Sequence, residues 1–155
     1  MNSETDTLAP AKTMVPPLSS IEVDVIATQG NGQIDWDLDI KTHGHGQGGK
    51  RIAATPGIGY KIRFDLVNRS HLDVRFDASG PIFVREGSDI FCPTRLDSKQ
   101  IMIDSCKDDE LVVIDWNYEE LVLNYQLNFV TDVGKAVNPY DPIIDNGGGG
   151  TKPLF

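Results

Sequence analysis

Apolar and polar residues alternate with a period of two along much of the chain, the pattern of strands with one dry and one wet face. Ile21-Glu22-Val23-Asp24-Val25 begins it. After the turn Gly30-Asn31-Gly32, the residues Ile34, Trp36, Leu38 and Ile40 share one face and Asp35, Asp37 and Asp39 the other, so the two stretches read as a hairpin. A third run follows Pro56-Gly57, with Tyr60, Ile62, Phe64 and Leu66 opposed to Lys61, Arg63 and Asp65. Shorter candidates at Leu72–Phe76, Ile82–Arg85 and Gln100–Asp104 fit loops and edge strands. Leu111–Trp116 and Leu121–Val130, facing each other across Asn117-Tyr118-Glu119, predict a second hairpin. A last strand at Pro142-Ile143-Ile144-Asp145 is expected on a sheet edge, since Pro142 cannot donate to a ladder.

No stretch carries apolar residues at three-and-four spacing over ten positions, so no substantial helix is expected. Short, turn-punctuated strands with one apolar face predict an all-β protein, an antiparallel β-sandwich; the finer expectation, a Greek-key sandwich of the immunoglobulin-like or cupredoxin-like kind, is what the resemblance given below implies. Val23, Val25, Ile34, Trp36, Leu38, Ile62, Phe64, Leu66, Val113, Leu123, Tyr125 and Leu127 are the expected inward residues. Residues 1–20, rich in Pro, Ser and Thr, read as a polar arm, 21–146 as the sandwich, and 147–155 as a Gly-rich tail.

Composition narrows the function classes. A length of 155 residues suffices for one domain with its own core. The net charge of −9 argues against nucleic acid and anionic membranes as partners, because phosphate binding needs Lys and Arg. The first 20 residues lack the basic and apolar regions of a signal peptide, and no run approaches the ~18 apolar residues of a membrane helix. The expected compartment is the cytoplasm, where Asn68-Arg69-Ser70 is a chance sequon and Cys92 and Cys106 are reduced, largely buried thiols.

Candidate chemistry is sparse. Gly44 to Lys50 formally reads GxxxxGK, but Arg51 replaces the Ser or Thr of a phosphate loop and strands flank it. His43 and His45 project the same way from an extended segment and, with His71, are the weak metal candidates; two ligands do not complete a site. Asp35, Asp37 and Asp39 stand ~7 Å apart along a strand, too far to share one calcium, and read as a solvated face that discourages edge-to-edge pairing. No catalytic residue is assigned, and no cofactor is specified.

The run from Tyr60 through His71 to Phe76 resembles the middle of cupredoxins, with His71 at the position of a copper ligand. The remaining Cys, His and Met ligands of that family are not matched near the C-terminus, so the resemblance implies the sandwich rather than the metal. The C-terminal Tyr140-Asp141-Pro142-Ile143-Ile144-Asp145-Asn146-Gly147-Gly148 resembles the DP-EP family, small bacterial sandwich proteins of unknown function. Its Asp-Pro motif corresponds to Asp141-Pro142, and its Glu-Pro motif is not matched. The leading functional reading is a non-enzymatic cytosolic binding or structural sandwich, acting alone or as a homo-oligomer on a partner the sequence does not identify. The alternatives are a cupredoxin-related metal-binding or redox protein and a hydrolase built on a carboxylate pair.

Overall fold

A computed structural model describes residues 18–47, 51–55, 57–86, 89–92, 101–117, 122–140 and 143–145. The described residues form strands and turns, with no helix. The strands are β1 (Leu18–Gln29), β2 (Ile34–Ile40), β3 (Gly46–Gln47), β4 (Arg51–Ala53), β5 (Gly59–Arg69), β6 (Val74–Phe76), β7 (Ile82–Glu86), β8 (Asp89–Phe91), β9 (Ile101–Cys106), β10 (Glu110–Asp115), β11 (Val122–Leu127), β12 (Phe129–Thr131) and β13 (Ile143–Asp145). One sheet has the order β9-β10-β5-β1-β2, a second the order β3-β4-β13-β11-β7-β8, and β12 pairs with β6 apart from both.

The two large sheets face each other over a single core. Ile21, Val23, Val25, Ile62, Phe64, Leu111 and Val113 come from the first sheet, and Ile52, Ile82, Val84, Tyr125 and Leu127 from the second; all are fully buried. Phe64 and Tyr125 meet across the interface with ring centroids 5.8 Å apart. The period of two in β1 appears directly as burial, every apolar residue from Ile21 to Ala27 except Ile26 being inside. Trp36 and Leu66, expected inside, are half-buried but pack against the core. The side chain of Leu123 lies outside the described residues.

Five expectations need correction. The sheets are mixed rather than antiparallel, because β1 runs parallel to β5 and β13 parallel to β4. The chain that forms the β1–β2 hairpin then crosses to the second sheet as β3 and β4 before returning as β5, and such a return delivers a parallel neighbour. β10 and β11 are not a hairpin: β10 has β9 on one edge and β5 on the other, so no edge is left for β11, which joins the opposite sheet. Within the expected run Leu121–Val130 the described residues form two strands, broken at Asn128. β13 is no edge strand, for it sits between β4 and β11. Strand β1 also starts at Leu18, so residues 18–20 of the expected arm pair with β5. Asp141-Pro142 lies outside the described residues.

Each sheet edge is short, bulged or covered. β3 and β8 have two and three residues. β9 carries a register shift between Ile103 and Ser105 that leaves Asp104 unpaired with β10. On β2 part of the outward-pointing backbone is occupied: the Asn138 side chain accepts from Ile34 N at 2.9 Å and donates to Ile34 O at 2.8 Å, while Asp37 Oδ1 accepts from Leu38 N at 2.9 Å. Asp35, Asp37 and Asp39 are exposed along this edge strand, as expected of a face that resists pairing.

The β1–β2 turn has no room for side chains at its first glycine. A Cβ on Gly30 would sit 2.6 Å from Gln33 O, the acceptor of the Gly30 N hydrogen bond that closes the turn, and Gly32 has φ +86°. Gly30→Ala is expected to lower stability by about 1–3 kcal/mol in urea titration. Asn138→Ala strips both polar partners from Ile34 and is expected to cost about 1–3 kcal/mol and to produce concentration-dependent self-association in sedimentation velocity. An unchanged midpoint with a monomeric profile would refute the edge-capping role.

Candidate functional site

The loops that follow β1, β5 and β12 gather at one end of the sandwich around an open cleft of about 390 Å³. Its walls are Gly32, Gln33 and Ile34 from the β1–β2 turn, Leu72 from the β5–β6 loop, and Thr131, Lys135, Ala136, Val137 and Asn138 from the segment after β12. Each wall is fixed by local bonding. The last segment is a tight turn, with Gly134 N donating to Thr131 O, Thr131 N to Lys135 O and Lys135 N to Thr131 Oγ1, and Val137 N returns to Phe129 O. Arg75 Nη2 donates to Asp132 O at 3.1 Å and ties the same turn to β6. The Leu72 loop is held by Asn68 Nδ2 on Leu72 O at 2.7 Å, and by His71 N on Gln29 Oε1 at 3.2 Å.

Beneath the cleft lies an aromatic stack. Trp36 stacks on Phe129 at 4.2 Å and reaches Tyr140 at 6.2 Å, Phe76 packs on Phe129 at 4.8 Å, and Trp36 Nε1 donates to Asn138 O at 2.8 Å. That bond ties the stack to the cleft wall, which Asn138 lines. Leu72 in the wall is 41% exposed, and Val133, in the turn between Thr131 and Lys135, is 82% exposed. Exposed apolar residues beside a concavity, rather than scattered singly, are a feature of binding surfaces.

The histidines are divided between the two ends of the molecule. His45 Nδ1 lies 2.8 Å from Ala53 O, and its ring meets the edge of Tyr60 near the start of β5. His43 is exposed on the adjoining turn. His71 follows the other end of β5, an eleven-residue strand that spans about 33 Å, so the three cannot share a metal. Among the described residues no group of three or more His, Cys, Asp or Glu is arranged to hold an ion. Gly48 to Lys50 of the GxxxxGK segment lie outside the described residues, and Arg51–Ala53 beyond them is strand rather than helix. Asp35, Asp37 and Asp39 point outward along β2.

At the His45 end the polar groups serve the fold. Asn117, at φ 55°, donates from Nδ2 to Thr55 O at 2.6 Å and Ile58 O at 2.9 Å, and its N donates to Asp115 Oδ1. Thr55 N donates to Tyr60 Oη at 3.1 Å. These bonds hold the 54–58 connection against the end of β10. Sequence reasoning missed the cleft altogether; the amide Asn138 and the apolar Val133 and Val137 after a strand-ending Thr131 were its only linear trace.

No protein-family model matches the chain, and no curated protein matches it. Among the described residues no helix is long and apolar enough to cross a membrane.

Both cysteines are free and half-buried. Burial raises the pKa of the Cys92 and Cys106 thiols, and nearby Asp77 adds to the effect in each. Less thiolate is therefore present at neutral pH than in a solvated cysteine. Alkylation by iodoacetamide at pH 7.5 is expected to be slower than for free cysteine and to accelerate into the alkaline range; parity with free cysteine would contradict the burial.

Proposed function

We propose that this chain is a non-enzymatic cytoplasmic binding module, a Greek-key sandwich of immunoglobulin-like or cupredoxin-like type related to the DP-EP family, which captures a partner protein at its loop end. The observation that carries the reading is the 390 Å³ cleft with the exposed Leu72 in its wall. Loops clustered at one end of a sandwich are the usual place for recognition, because the sheets fix the frame while the loops vary. The cleft falls within the ~300–1,000 Å³ range of ligand pockets. Its Asn138 wall is prearranged by bonds to Ile34 and Trp36, which limits the ordering cost of binding.

Panning a phage-displayed random peptide library against the folded chain tests this. Enriched peptides are expected to bind Ala136→Trp, which fills the cleft from an exposed position, roughly ten-fold or more weaker, and to bind Asp39→Asn on the far edge as they bind the wild type. Absence of enrichment, or equal binding to both variants, would overturn the reading.

A further inference from the structure

The charge pattern around the cleft says more about its occupant. Of the described lysines, Lys41 pairs with Asp24 at 3.4 Å, Lys61 with Asp104 at 3.6 Å, and Lys107 approaches Glu110 at 4.0 Å. Lys135 alone has no carboxylate partner among the described residues, in a chain of net charge −9 where acids outnumber bases. It stands in the cleft wall between Thr131 and Ala136. Of the two side-chain amides there, that of Asn138 is consumed by Ile34 N and O. What remains open to a ligand is a mixed surface, apolar at Leu72, Ala136 and Val137 and polar at Gln33 and Thr131, with one ammonium beside it.

Resting on the binding reading above, we propose that the cleft receives the apolar C-terminal end of a partner polypeptide, with Lys135 pairing its α-carboxylate. Size favours a chain end over a segment that runs through, since 390 Å³ is near the lower limit for small-ligand pockets and holds only a few residues. Chain-terminal carboxylate capture is a recurrent recognition mode, and a charge-assisted bond beside apolar contacts supplies the selectivity for an end. An interior segment offers its peptide groups to an ammonium that has nothing to neutralise.

The test uses two probes, acetyl-Leu-Val-Leu with a free C-terminal carboxylate and the same tripeptide as its C-terminal amide, titrated into 15N-labelled full chain. The acid is expected to shift the amides of Gly32, Leu72 and Val137 and the Trp36 indole N–H, which is bonded to Asn138 in the cleft wall. It should bind roughly ten-fold tighter than the amide. Lys135→Gln should erase that difference, and Lys135→Arg should restore it. Raising salt should weaken the acid alone. Equal affinity of the two probes at the cleft would overturn the carboxylate assignment and leave the binding reading standing. Shifts confined to other surfaces, or none with either probe, would overturn the assignment as well, and the peptide panning then decides separately whether the cleft binds other sequences.

Discussion

The parallel pairing of β1 with β5 is the constraint on which the arrangement rests. It runs in unbroken register from Leu18 opposite Gly59 to Thr28 opposite Arg69, and it puts the two longest strands side by side in the middle of the first sheet. Parallel neighbours cannot be joined by a tight turn. The chain between them must leave the sheet, and it does so by building β2 on the outer edge of β1 and then β3 and β4 in the opposite sheet. One pairing thus places an edge strand, founds the second sheet and brings the ends of β1, β2 and β5 to the end of the molecule where the cleft forms.

Packing then follows from the faces those strands present. Ile21, Val23, Val25, Ile62 and Phe64 form a continuous apolar surface that only a second sheet can cover, and Val84, Tyr125 and Leu127 cover it. The outer face is held by charge. Arg63 is contacted by Glu22 at 3.2 Å and Asp65 at 3.1 Å, and by Glu110 at 3.9 Å, and these acids raise its pKa. Such exposed pairs contribute little stability each. The stems of Lys61 and Arg63, cross-strand partners of Ile114 and Val112, accompany apolar residues that are almost fully buried although they alternate with the inward Leu111 and Val113.

Strand identity was legible where alternation was long. β1, β2 and β5 declare themselves through four apolar positions each at spacing two, and the acidic face of β2 was assigned correctly to solvent. Direction was not legible, because a period of two is the same in parallel and antiparallel ladders. Adjacent runs such as Leu111–Trp116 and Leu121–Val130 suggest a hairpin, and only the occupation of both β10 edges rules it out. The cleft was invisible for a different reason. Ile34 and Asn138 are bonded across a separation of 104 residues, and no local pattern announces that an amide will cover the edge of a strand formed so much earlier. The three histidines, conspicuous in the linear chain, are parted by the length of β5.

The position of β13 bears on how the molecule is made. It fills the slot between β4 and β11, so until it arrives both neighbours expose a row of open backbone groups. The strands of the first sheet all precede β11 in the chain, whereas the two pieces of the second sheet are joined only by β13, from beyond β11. A chain cut before Ile143 would leave between them a gap the width of one strand, open to any extended segment nearby.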